Sequence, residues 1–402
     1  MIAGFYIVAF NSTAQDWVQT SAPYQYWSSV ACSANGTRVL ASSKYTGGSF
    51  NAGGLFMSTN SGRTWAPTTA PIQYWDRVAS SADGVKLAAS GANTPVFPPP
   101  GLIYLSTNSG ATWNVSSAPP NVWVSLTCSA DGSKLVGAVS SGGLYYSTNS
   151  GATWSPGSVP IRYWQALASS ADGKSLIASG GPVENPGIRE VYLSVDAGVT
   201  WNLADSAPTR IIGLAASADG IRWFGAGGTY GIFVSSDSGK TWDLSSAPVE
   251  PWEWLAIGCT TDGSMISAVC IDPSNGNYGP GPIYNSSDFG KNWYRHGTVS
   301  GFFNWITTSS DGAKWYAAEG GFAAGYIYTL QTPPKLKIRS SGNDLLLSWP
   351  ASATEYGLQQ NSAIESASGW SPVMTSVVLN GSEFQTLVPQ GGAKNFYRLM
   401  SQ

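Results

Sequence analysis

Four carboxylates and a recurring set of large rings are the residues of this sequence that could do chemistry. Asp76 follows Trp75, and Glu253 stands between Trp252 and Trp254. Two carboxylates held about 5 to 10 Å apart can hydrolyse a glycosidic bond, so Asp76 and Glu253 form the candidate catalytic pair. Asp272, Asn275 and Glu319 offer the hard oxygen donors that Ca²⁺ takes, and they are the candidate metal ligands. Trp27, Trp75, Trp123, Trp164, Trp254 and Phe303 each stand eight residues before the Asn or Asp of an Asn-Gly or Asp-Gly pair, and Ile211 occupies the same place in one further copy. Such rings could stack against sugars or wall an acyl chain as ligand-binding residues. Their recurrence in every copy equally suits a wedge between repeats.

Other chemistries lack their residues. His296 is the only histidine, and it follows Trp293 in a segment read as an outer strand, which argues against a Ser-His-Asp site and against histidine-based metal sites. No Gly-rich phosphate loop opens a helix. Charged residues make up 11% of the 402, the net charge is −3, and no Lys/Arg run appears, so no nucleic-acid footprint is present. No apolar run approaches the ~20 residues a membrane-spanning helix needs.

The elements that must position these residues repeat. Asn35-Gly36, Asp83-Gly84, Asp131-Gly132, Asp172-Gly173, Asp219-Gly220, Asp262-Gly263 and Asp311-Gly312 are tight hairpin turns between apolar runs. A second motif, Ser-Thr-Asn-Ser-Gly-Ala-Thr-Trp and its variants, ends at Trp65, Trp113, Trp154, Trp201, Trp242 and Trp293, with a degenerate copy at Trp17. Both signals count seven, at spacings of 41 to 51 residues, which suits a four-stranded propeller blade. The Asn or Asp of the second motif can bond the backbone of its own turn, and Asn serves in three copies, so these positions read as structural. Cys32, Cys128 and Cys259 stand where other repeats have Ser, Ala or Thr, which makes them small buried thiols.

The second motif resembles the Asp box, or BNR repeat, of sialidases, sortilin-type receptors, xyloglucanases and photosystem assembly propellers, over about residues 12–332. The resemblance implies an all-β fold with a seven-bladed β-propeller at 15–332. The last repeat has no box of its own, so the strand at Asp16-Trp17-Val18 is expected to complete it. Residues 335–402, after Pro333-Pro334, resemble the small fibronectin-III-like β-sandwich appended to many exported bacterial proteins, with Trp349 as its core ring. The apolar Met1–Phe10 before Ser12-Thr13-Ala14 reads as a signal-peptide remnant over 1–14, which places the protein outside the cell or in the periplasm.

The resemblance supplies no complete active site. Sialidase chemistry needs a three-arginine cluster, which the sparse arginines do not match, and xyloglucanases place their aspartates between two propellers where this chain has one. The expectation is therefore an exported, Ca²⁺-dependent hydrolase of a glycosidic, ester or lactone bond at the channel mouth. The alternatives are a non-catalytic glycan- or surface-binding module and an assembly scaffold. The expected ligand is a small molecule or glycan, and the expected oligomeric state is a monomer.

Overall fold

A computed structural model describes residues 16–47, 51–92, 100–185, 187–249, 252–274, 278–321, 323–331, 336–342, 344–350, 356–362, 369–381, 383–389 and 396–401. The expected signal segment and Asn275 lie outside them. The chain divides into two compact units, Met1–Gln331 and Thr332–Gln402. Every regular element among the described residues is a β-strand.

Among its described residues the first unit contains seven four-stranded antiparallel sheets. The first sheet shows the plan. Gln25–Cys32 turns at the Asn-Gly hairpin into Val39–Thr46, which pairs with Leu55–Ser58, which pairs with the two-residue outer strand Ala66–Pro67. Second strands such as Leu87–Ala92 are buried at every residue, because the neighbouring sheets cover both of their faces. Outer strands such as Asn114–Val115 are exposed and only two residues long, which limits the edge that another chain could pair with.

The seven innermost strands are Gln25–Cys32, Tyr74–Ser80, Trp123–Cys128, Tyr163–Ser169, Gly213–Ala216, Glu253–Cys259 and Phe303–Thr308, and each contacts the next, with the seventh returning to the first. A closed circle of backbone hydrogen bonds joins the hairpins. Ala34 N donates to Ala82 O, Ala82 to Ala130, Ala130 to Ala171, Ala171 to Ala218, Ala218 to Thr261, Thr261 to Ser310 and Ser310 back to Ala34, at 2.7–3.0 Å. Gly84 shows why the hairpin needs glycine. Its φ is +68°, and a Cβ there would stand 2.9 Å from Arg38 of the preceding sheet.

The ring closes with the N-terminal strand. Val18–Gln19 pairs antiparallel with Ile327–Gln331, completing the sheet begun by Phe303–Thr308. Trp17 is buried against Phe303, Trp315 and Leu330.

In the second unit, a four-stranded sheet (Lys337–Ser341, Asp344–Pro350, Glu383–Pro389, Val378–Asn380) and a three-stranded sheet (Ser371–Pro372, Tyr356–Asn361, Phe396–Ser401) share an apolar cluster of Leu347, Trp349, Leu358 and Val388.

Candidate functional site

The antiparallel order puts both families of turns on one face of the first unit, and hydrogen bonds lock them there. In the box before Trp65, Asn60 Oδ1 accepts from Ser58 Oγ at 3.1 Å and Thr64 N at 2.9 Å, while Trp65 Nε1 donates to Gly62 O at 3.1 Å. Ser61 N reaches across to Thr37 O in the hairpin. The Asn or Asp contact recurs at Asn108, Asn149, Asp196, Asp237 and Asp288. The hydroxyl and amide of Thr241 draw Asp237 down to about 2. These side chains are fully engaged within their own turns. Cys32, Cys128 and Cys259 are free thiols that burial pushes up to about 12, so none is a thiolate nucleophile at neutral pH.

The rings expected to bind ligand require a correction. Trp27, Trp75, Trp123, Trp164, Trp254 and Phe303 are at most 3% exposed. Each packs steeply against a third-strand ring of its own sheet, namely Phe56, Tyr104, Tyr145, Tyr192, Tyr284 and Tyr328, with centroids 5.1–5.6 Å apart. The innermost strand shifts register immediately after each ring, a bulge that re-aims the side chain. Trp75 accordingly fills the space between two sheets, touching the cluster of Leu40, Leu55, Val78 and Leu87. No face of these rings is free for a sugar.

The rings that do reach the surface stand beside them, at the strand ends away from the hairpins. Tyr26 meets Tyr45 at 5.8 Å and 86°, Tyr45 meets Tyr74 at 5.6 Å and 69°, and Tyr24 meets Tyr326 at 5.2 Å. All five are at least partly exposed. Lys44, next to Tyr45, holds Asp76 Oδ1 at 3.1 Å, with both side chains about one-third exposed.

The predicted carboxylates are dispersed among different partners. Asp76 is bound to Lys44 on the neighbouring sheet. Glu253 begins its strand near the Arg189 guanidinium, whose pKa is lowered by burial and by Arg210 and raised by Glu253. Asp272 Oδ1 accepts from Ser274 N at 2.9 Å and also from the Ser274 hydroxyl, and these bonds lower its pKa. Glu319 Oε2 accepts from Tyr326 N at 3.1 Å, and burial raises its pKa. Asp272 and Glu319 end the second strands of adjacent sheets. Among the described residues no three His, Cys, Asp or Glu side chains gather into a metal-binding group. His296 lies on the outer strand Tyr294–Gly301, where its Nδ1 is 3.0 Å from Asn285 Nδ2.

Sequence reasoning passed over the channel. A cavity of about 420 Å³ is lined by residues of all seven innermost strands or the residues leading into them, including Ser28, Arg77, Ser125, Gln165, Ile212, Leu255 and Asn304. Among the described residues Arg77 is the one charged residue in its wall. Burial works against that charge and lowers the Arg77 pKa, with Asp76 opposing the shift. The signal was present in the repeats. Two residues after the buried ring, five copies have Ser29, Ser125, Ala166, Gly213 and Ala256, whereas two have Arg77 and Trp305.

No model of a known protein family and no curated relative matches the sequence. Solved structures do resemble it. YCF48 bound to D1 peptide aligns at 15% identity over 81% of this chain and 99% of that one, with a TM-score of 0.57. The GH74 xyloglucanase from Xanthomonas campestris aligns at 15% identity over 84% of this chain, with a TM-score of 0.58, and the alignment spans only 59% of the enzyme. The Cps50 (Swd1) β-propeller domain of Myceliophteria thermophila aligns at 12% identity over 79% of this chain and 99% of that one, with a TM-score of 0.56. The fold is a β-propeller. At these identities the likeness concerns the propeller architecture alone, and the similar structures include both an enzyme and a peptide-bound protein. No helix among the described residues is long and apolar enough to cross a membrane.

Proposed function

We propose that this chain is an exported, seven-bladed propeller of the Asp-box type, with a fibronectin-III-like sandwich after it, that binds carbohydrate at its loop-bearing rim without turning it over. The observation that carries this reading is the row of part-exposed rings Tyr26, Tyr45 and Tyr74 beside the Lys44–Asp76 pair. Tyrosines with an apolar face and a polar tip suit sugar rings, and an adjacent carboxylate and ammonium supply hydroxyl partners. Each box and hairpin is occupied by its own hydrogen bonds, which leaves recognition to the opposite face. Export rests on the apolar Met1–Phe10 segment.

Hydrolysis is the second reading, and Asp76 supports it by standing at the same rim. Its expected partner Glu253 is near Arg189, so the acid/base pair lacks a visible second member. Calcium at Asp272, Asn275 and Glu319 belongs to that reading.

The test is a glycan array followed by calorimetry on the hits. Binding should be retained by Glu253→Gln and weakened about tenfold or more by Tyr45→Ala and Tyr74→Ala, as expected for lost stacking contacts of ~1.4 kcal/mol or more. An array without hits, or tyrosine variants that bind as well as the parent, rejects the rim. Release of reducing ends from a bound oligosaccharide, abolished by Asp76→Asn or by a chelator, replaces binding with hydrolysis.

A further inference from the structure

The channel holds a cation that makes no ion pair among the described residues. Arg77 Nη1 donates to Asp76 O at 3.1 Å and Ser28 O at 3.5 Å, both neutral carbonyls. Neither Nε nor Nη2 meets an acceptor among the described residues. The nearby carboxylate of Asp76 is held by Lys44, so these three side chains keep one net positive charge. A partly buried guanidinium is stabilised by an anion or a full set of acceptors, and among the described residues Arg77 has neither.

Three neighbouring sheets converge on this corner. Trp305, from the seventh sheet, lies under the guanidinium at 4.9 Å from Cζ, bridging past the first sheet to the second. The aromatic ring covers one face of the cation and leaves its edge for an acceptor. Asn304 Nδ2 donates to Trp27 O at 3.0 Å, while its Oδ1 meets no donor among the described residues. Only the Nδ2 side of this amide can face Trp27 O, because two oxygens would repel each other there. Arg77 and Asn304 therefore flank the Trp27-Ser28 backbone from opposite sides. Elsewhere the wall is mixed, with Leu167, Ile212, Leu214, Leu255 and Ile257 supplying its apolar part and Ser125, Gln165, Thr307 and Thr308 its neutral polar part.

We propose that the propeller channel is a binding site for a compact monocarboxylate, its carboxylate paired with Arg77 and its apolar body against the Leu/Ile wall. A planar guanidinium matches a carboxylate's two oxygens. One cation in the wall selects a monoanion over a polyanion, and the cavity volume falls within the usual range for small-molecule pockets. This site is separate from the tyrosine rim and does not depend on the rim's ligand.

Benzoate and its neutral isostere benzamide test the proposal on the full chain, by thermal shift and calorimetry. Benzoate should raise Tm and bind the unmodified chain, with benzamide about tenfold weaker or more, as the loss of a charge-assisted bidentate pair requires. Arg77→Met should remove the benzoate response, and Tyr45→Ala should keep it. Equal responses to the two probes, no response to benzoate at millimolar concentration, or an undiminished response in a folded Arg77→Met variant would each overturn the site. If Arg77→Met does not fold, the benzoate–benzamide comparison on the unmodified chain decides. A rim without sugar binding leaves this result untouched.

Discussion

At the scale of single residues, neighbours one position apart do different work. Trp75 is fully buried while its neighbours Tyr74 and Asp76 reach solvent. Trp75→Ala should therefore cost about 3 to 5 kcal/mol of stability, read from denaturant midpoints, with oligosaccharide affinity of the folded fraction unchanged. A parallel loss of affinity would put the ring back in the site. The eight-residue spacing located these rings but could not show where they point, because the direction depends on a bulge that no residue type in the sequence announces. Glu319 is a second residue-scale case. Burial raises its pKa, so its folded form holds a proton that the unfolded chain has released, and stability falls as pH rises from the ordinary 4.5 through the raised value. Glu319→Gln should raise Tm at pH 7 and flatten Tm between pH 4.5 and 7, because the glutamine oxygen still accepts from Tyr326 N. A lower Tm at pH 7 would show that the charge is stabilised by something absent from its surroundings here.

At the scale of elements, the hairpins and boxes were the most legible parts of the sequence. Both turns need particular residues for local reasons, and each repeated motif corresponds to one four-stranded sheet. The channel wall was much less legible, since its residues are short, variable and set by the same bulges. Gly151 tests the box. Its φ is +82°, and a Cβ would collide with Leu105, so Gly151→Ala should lower the urea midpoint by an amount equivalent to about 2 kcal/mol. Gly143→Ala is the control, because nothing lies within 4 Å of its Cβ position. A milder effect at Gly151 than at Gly143 would refute the account of the box. The acid boxes add a pH signature. Asp237 is lowered from 3.8 to about 2, so its contribution is present above 3.8 and lost as pH falls toward 2. Asp237→Asn should reduce the acid sensitivity of unfolding in that window, as a box that already has Asn at this position would.

At the scale of the whole molecule, seven sheets are held in a ring by the circle of hairpin hydrogen bonds and by the pairing of Val18–Gln19 with Ile327–Gln331. Deleting residues 1–19 should expose Phe303, Trp315 and Leu330 together with a bare strand edge, and gel filtration should then show association or aggregation. A monomeric, equally stable truncation would mean that the ring closes without this strand. The same pairing sets a clock during biosynthesis. The segment that leaves the ribosome first has to wait for the one that leaves some three hundred residues later, on the order of half a minute at usual translation speeds. Throughout that interval the nascent chain is an unfinished arc with a vacant berth at one end, a state that favours holding chaperones. A circular permutant that begins just before Phe303 would shorten that wait from about three hundred residues to about ninety, and its co-translational folding should depend less on the delay.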